Sequence, residues 1–199
     1  GRIAHYFATL TGGQVSGYNI DPDQIENAID WATECGMSDR LHFKVGDHHR
    51  PLEYDSDTFD GCFSFQAVWP FFKKEELDAH AREMYRVLKP GAQYSCSEYL
   101  LTPHFDWNNE EHVALHRTFL PTLAATRSMY PADVCAALER AGFRILDIAM
   151  QFGHRLFDRD EIDCVGNRKC SACRRKEFLV GRHQHKALRA MALRALRHL

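Results

Sequence analysis

Four polar groups stand where strands in a chain of alternating strands and helices would end. Asn19 and Asp21 follow the run 14–19, and Asp47 follows 41–45. Gln66 follows 60–65 with Trp69 just beyond, and Glu98-Tyr99 closes 92–98. An amide or carboxylate at Asn19 or Asp21 can accept ribose hydroxyls, and Asp47 can accept an exocyclic amine. Ile20 offers an apolar face to a purine ring. Together they suit an adenosine-containing ligand. Each also has an ordinary local use: Asp21 as a helix cap, Asn19 as a turn former, Gly46-Asp47 as a turn pair.

The elements that must position these groups follow from periodicity and punctuation. Residues 2–10 read as a helix with Ile3, Tyr6, Phe7 and Leu10 on one face, stopped by Gly12-Gly13. Asp21-Pro22 is a helix start, a side-chain cap followed by a ring pre-set for the first helical position. The helix runs over 22–35, with Ile25, Ala28, Ile29 and Ala32 on one face and Gly36 beyond. Strands are expected at 41–45 and 60–65. A helix over 73–88 ends at Lys89-Pro90-Gly91, and a strand over 92–98 follows. Helices at 110–125 and 131–141, a strand at 143–149 and a short strand at 177–181 complete the pattern. Alternation of this kind predicts a Rossmann-like, doubly wound α/β fold with a mostly parallel sheet and helices on both faces. In such sheets ligands bind at the carboxyl ends of the strands, where the four groups lie.

Composition narrows the class. The 199 residues are 45% hydrophobic and 26% charged, the balance of a globular protein. No apolar run reaches a membrane span, and the start reads as no secretory leader. Residues 1–150 carry 13 Lys/Arg against 22 Asp/Glu, whereas 151–199 carry 12 against 5. The expected division is therefore a core over 1–150 and a basic segment over 151–199. Cys35, Cys62, Cys96 and Cys135 are scattered singly and read as buried thiols of an intracellular protein, cytoplasmic or peripheral to an internal membrane. Cys164, Cys170 and Cys173 hold three of the four ligands of a zinc site but lack a second paired half. They read as a solvated, redox-sensitive loop, so no metal is expected. Residues 186–199 form a basic helical pattern with Leu188, Met191, Leu196 and Leu199 on one side. It suits packing on the domain, a frayed tail or an anionic membrane surface. Its aromatic content is too low for a nucleic-acid surface.

In order along the chain, these blocks resemble a known family. Gly17-Tyr18-Asn19-Ile20-Asp21-Pro22-Asp23-Gln24-Ile25-Glu26-Asn27-Ala28, Val45-Gly46-Asp47, Phe59 to Ala67 and Glu83-Met84-Tyr85-Arg86-Val87-Leu88-Lys89-Pro90-Gly91 are similar to class I S-adenosylmethionine-dependent methyltransferases. More narrowly they resemble the sterol 24-C-methyltransferases, as does Ser97-Glu98-Tyr99 followed by Asn109-Glu110-Glu111-His112. The resemblance covers about residues 1–150 and implies S-adenosyl-L-methionine as methyl donor. It places Asn19 on the ribose, Ile20 on the adenine face and Asp47 on the adenine amine with the His48 backbone nearby. Gly17 belongs to the same block. Gln66 would lie beside the methionine moiety and the substrate, with Glu98 and Tyr99 facing the substrate pocket. The implied acceptor is a lipid, a sterol side-chain carbon above all. Phe65, Trp69, Phe71, Phe72, Tyr99, Phe105 and Trp107 either supply aromatic faces for a cationic transition state or form a Phe-rich core; Phe71 and Phe72 suit both equally, and Trp69 and Tyr99 suit the pocket.

Two departures count. The family's glutamate is Gln66 here, which hydrogen-bonds but holds no negative charge. The family also places a central strand and a glycine-rich loop before the first helix, and only Gly1 corresponds, as the loop's last glycine. The expectation is a fold lacking its first strand and loop, with bared pairing edges and marginal stability. The alternatives are a methyltransferase for another lipid or small molecule, and a non-catalytic, degenerate homologue.

Overall fold

Asp21 and Pro22 start a helix as their chemistry requires. In the structure, a computed structural model that describes residues 1–148 apart from 67 and 124, the Asp21 carboxylate accepts the backbone N–H groups of Asp23 and Gln24. Helix α2 (Pro22–Glu34) turns Ile25, Ala28 and Ala32 inward. Before it, α1 (Arg2–Thr11) buries Ala4, Phe7 and Ala8 and stops at Gly12, whose φ of 73° suits a residue without a Cβ. Strand β1 (Val15–Asn19) pairs in parallel with β2 (Leu41–Val45), Asn19 opposite Val45.

The second half repeats the device. Strand β3 (Phe59–Phe65) pairs in parallel with β4 (Leu88–Ser97), Phe65 opposite Ser97. Helix α3 (Leu77–Val87) connects them, entered through a 3-10 turn at Lys74–Glu76. Helix α4 (Glu110–Phe119) is capped by Asn109, and α5 (Pro131–Ala141) packs on α3. The alternation of parallel strands and helices is Rossmann-like α/β. Residues through Ile145 pack as one unit.

The parallel strands form two two-stranded sheets rather than one continuous sheet. Among the described residues each strand therefore keeps one edge without a strand partner. Helix α1 bridges the two pairs. Its Phe7 ring stacks on Phe63 of β3 at 4.2 Å, while Ala4 and Ala8 pack with Ala32 and Leu41. A larger core gathers Trp69, Phe72, Leu77, Ala81, Val134 and Leu138. Trp69 is fully buried there, so it is a core residue and not the pocket wall its position suggested.

Three boundaries differ from expectation. Strand β4 begins at Leu88, directly after α3, because Leu88 already pairs with Phe59; Pro90 and Gly91 (φ 83°) lie in an irregularity of the pairing. The helix expected over 110–125 ends at Phe119 and passes into a 3-10 turn over Leu120–Leu123. Within 143–149, the described residues 143–148 form no strand. Phe143 instead packs by its ring against Tyr85 and Tyr94, 5.2 and 6.0 Å away. Of the thiols expected to be buried, Cys35 at the end of α2, Cys135 in α5 and Cys62 in β3 are half-buried, and Cys96 in β4 is exposed, because a two-stranded sheet leaves part of its strand residues uncovered. The expected strand 177–181, helix 186–199 and the cysteines at 164, 170 and 173 lie outside the described residues.

Candidate functional site

The carboxyl ends of β1 and β2 are joined by one hydrogen bond, Gly46 N–H donating to the Asn19 carbonyl at 2.8 Å. The Asn19 side chain closes a small local network: its Oδ1 accepts from Asp21 N at 3.0 Å, and its Nδ2 donates to Gln24 Oε1 at 3.0 Å. Gln24 in turn donates to Asp21 Oδ2 at 3.2 Å. The cap and turn roles are thus both realised. Between these two residues Ile20 stands 62% exposed, an apolar face at a strand end with no core behind it.

Asp47 follows at once. Its Oδ1 accepts both the His49 backbone N–H and the His49 ring, each at 2.9 Å, while Arg50 reaches Oδ2 only at 3.9 Å. These bonds, the backbone N–H first, hold the carboxyl below its usual range. It is therefore an anionic acceptor at neutral pH. His48 lies edge-on to Tyr18 at 5.2 Å, and burial lowers its basicity. A Cβ at Gly46 would collide with the Tyr18 ring, and one at Gly17 with the Phe43 ring. Gly1 caps α1, and a Cβ there would come within 3.1 Å of Ala28.

The ends of β3 and β4 form a second group. Gln66 N–H donates to the Ser97 carbonyl at 2.8 Å, with Gln66 at φ 51°, a left-handed conformation uncommon for a residue with a side chain. Ser64 Oγ donates to Glu98 Oε1 at 3.2 Å and lies 3.2 Å from Tyr94 Oη. Tyr99, 38% exposed, meets Phe119 edge to face. Beside this group, Phe72, Leu101, Trp107, His116 and Leu120 line an open groove of about 520 Å³. The structure therefore brings Asn19, Ile20, Asp47 and His48 together at one pair of strand ends, and Gln66, Glu98 and Tyr99 at the other. A path of rings runs between them: Tyr18 to His48, His48 to His80 at 6.3 Å, His80 to Trp69 at 5.1 Å, and Trp69 to Tyr94 at 6.3 Å.

Sequence reasoning passed over the residues that brace the first group. Glu83 and Arg86 of α3 clamp the segment after Asp47. Glu83 Oε1 accepts Leu52 N–H at 2.6 Å, and Arg86 donates to the carbonyls of Tyr54 at 2.7 Å and Leu52 at 3.2 Å. The two side chains are themselves paired at 2.6 Å. That pairing lowers the Glu83 carboxyl's pKa. His80 lies one helical turn earlier and is 4% exposed. The available signal was the spacing 80, 83, 86, three polar residues along one side of an otherwise amphipathic helix. Among the described residues no three His, Cys, Asp or Glu side chains cluster as a metal site would need.

Residues 1–91 match a family described as a methyltransferase domain. Over 148 residues the chain is 30% identical to methyltransferase phqN of Penicillium fellutanum, covering 74% of this chain and 44% of that protein. It is 30% identical over 147 residues to a sterol 24-C-methyltransferase of Saccharomyces cerevisiae, covering 73% and 37%. The geranyl diphosphate C-methyltransferase of Streptomyces coelicolor A3(2), solved with Mg2+, geranyl diphosphate and S-adenosyl-L-homocysteine, matches with a TM-score of 0.57 at 12% identity, over 69% of this chain and 46% of that one. That likeness is one of fold. The chain spans less than half the length of these relatives.

Proposed function

With kinship to the class I S-adenosylmethionine-dependent methyltransferases as the premise, we propose that this chain transfers a methyl group from S-adenosylmethionine to a lipid acceptor, a sterol side-chain carbon in particular. The observation that carries the reading is the exposed Ile20 set between Asn19 and the anionic Asp47, at strand ends tied by the Gly46–Asn19 hydrogen bond. An apolar face beside a carboxylate acceptor fits an adenine ring and its exocyclic amine, so the residues present suit the donor. Asn19 would hold the ribose, with the His48 backbone alongside. Gly17 and Gly46 serve by letting the Phe43 and Tyr18 rings pack close, and Gly1 by seating α1 on α2.

The donor, when bound, supplies a methyl already activated on a sulfonium, so the protein's tasks are alignment and exclusion of water. With an alkene acceptor, the π electron pair would form the new C–C bond to the methyl carbon as the S–CH3 bond broke with its pair passing to sulfur, releasing S-adenosylhomocysteine and leaving a carbocation on the acceptor that would then lose a proton to a base. The Glu98 carboxylate and the faces of Tyr99 and Phe119 would stabilise that charge. Gln66 would orient the reacting groups by hydrogen bonding alone. Such an acceptor resides in membranes, and the basic stretch 186–199 is the proposed contact with an anionic lipid surface. Within the described residues no helix is long and apolar enough to cross a membrane.

Calorimetric titration with S-adenosylhomocysteine tests the donor site. Micromolar binding is expected, and no binding by a folded sample would mean that these residues are inert as they stand, the kinship then describing ancestry or a longer parent. Gln66→Glu tests the acceptor chemistry. Adding a carboxylate beside a developing cation is expected to raise sterol turnover about tenfold, the size of a 1.4 kcal/mol gain in transition-state stabilisation. A lower rate would argue against a carbocation.

A further inference from the structure

Helix α4 buries none of its residues, and Trp107 before it and Phe119 at its end are exposed. Its His116, with Leu120 just past its end, lines the groove of about 520 Å³ together with Phe72, Leu101, Trp107 and Met129. That volume lies in the range of small-molecule sites. Several polar members of the lining are committed elsewhere: Lys74 to Asp133 at 2.7 Å, Thr126 Oγ1 to the Pro70 carbonyl at 3.1 Å, and Tyr130 Oη to the Phe105 carbonyl at 3.2 Å. Lys73, Glu75 and Arg127 are exposed to solvent. The half-buried pair that remains is His116 and Ser128, with Nε2 2.9 Å from Oγ. The rings of Phe105 and Trp107, 5.5 and 5.1 Å from the imidazole, fix its position. Such a pair forms in two ways. Where the Ser128 hydroxyl donates to Nε2, its oxygen keeps lone pairs for an outside donor. Where Nε2–H donates to Oγ, the hydroxyl hydrogen is left to donate outward. A hydroxyl satisfies both arrangements, because it gives and receives. A ketone, ether or sulfate only receives, and an ammonium only gives.

We propose that this groove binds an uncharged lipid alcohol, with its apolar body along Phe72, Leu101, Leu120 and Met129 and its hydroxyl on Ser128. His116 is the positioning residue that orients the Ser128 hydroxyl. The lining favours an uncharged ligand, because Lys74 and Asp133 neutralise each other and an ionised headgroup would exchange its water for a neutral pair. The groove continues from the second group of strand ends. Leu101 is two residues beyond Tyr99, and Leu120 follows Phe119, whose ring meets that of Tyr99. This places the alcohol as the methyl acceptor, a placing that rests on the function proposed above; its binding does not.

The test is sterol binding by the whole chain, read as energy transfer from tryptophan to dehydroergosterol, a fluorescent sterol alcohol. Cholesterol, its 3-deoxy analogue and cholesterol sulfate compete for the site. The parent should bind cholesterol about tenfold more tightly than the deoxy analogue, the worth of one hydrogen bond given and one received. Cholesterol sulfate should bind no better than the deoxy analogue. Ser128→Ala should bring the alcohol and the deoxy analogue within about twofold of each other and leave the affinity for the deoxy analogue unchanged. Ser128→Thr, which keeps the hydroxyl, should retain the preference. His116→Phe keeps a ring between Phe105 and Trp107 but leaves the hydroxyl unoriented, and should cut the preference severalfold. Trp107→Phe should lose most of the energy transfer. No binding, equal affinity of the parent for cholesterol and the deoxy analogue, a full preference surviving in Ser128→Ala and His116→Phe, tighter binding of the sulfate, or unchanged transfer in Trp107→Phe would each overturn the proposal. Calorimetric titration with S-adenosylhomocysteine separates the two readings. Discrimination between the sterols without donor binding ends the methyl-transfer reading and upholds the alcohol site.

Discussion

Trp69→Ala is expected to lower the thermal midpoint by roughly 10–20 °C, corresponding to a loss of about 3–5 kcal/mol. Trp69 is fully buried and meets both His80 and Tyr94 by its ring. It therefore joins the packing of α3 to that of β4, and alanine would leave a cavity that two narrow sheets cannot collapse to fill. Domains have only about 5–15 kcal/mol to lose, and isolated two-stranded sheets contribute little alone. Unfolding monitored by circular dichroism checks this, with Phe71→Leu, at the half-buried neighbouring ring, as the milder comparison. A midpoint shift under about 3 °C would mean that Trp69 is not the centre of this core.

Local chemistry was legible in the sequence wherever it is sufficient on its own. Asp21-Pro22 fixed the start of α2, alternation fixed 41–45, and Pro131 with Gly142 bounded α5. What depends on distant partners was not. Residues 143–148 have strand-forming side chains, yet a strand exists only beside another edge, and Phe143 found rings instead. The division into two sheets is likewise a fact of pairing, which no local pattern encodes. Trp69 followed a strand end and so looked available to a ligand, but the chain turns it into the core through the 3-10 turn at Trp69–Phe71. His80 escaped notice for the opposite reason: a histidine in an amphipathic helix reads as surface until the fold buries it.

Asp47→Ala is the substitution with the largest expected effect on the donor, a loss of about 1–3 kcal/mol, or roughly 5- to 150-fold in affinity for S-adenosylhomocysteine. Two contributions are mixed in that figure, because Asp47 also holds its own turn through the His49 backbone and ring. Asp47→Asn separates them. Its amide oxygen can still accept the His49 N–H, so exchange at that amide should stay near the parent's, while the weaker uncharged acceptor should cost donor affinity severalfold. Unchanged affinity in a folded Asp47→Ala protein would remove the adenine role from this residue. The pH profile then isolates the Asp47 carboxylate. The Asp47 carboxyl is held below its ordinary value by the His49 backbone N–H first, so its contribution is present above about pH 4 and lost only as pH falls through its folded pKa. It stays ionised from pH 7.5 to 5.5. Donor affinity should therefore not fall through Asp47 across that interval, and a loss of affinity there in the parent that is absent in Asp47→Asn would contradict the assignment.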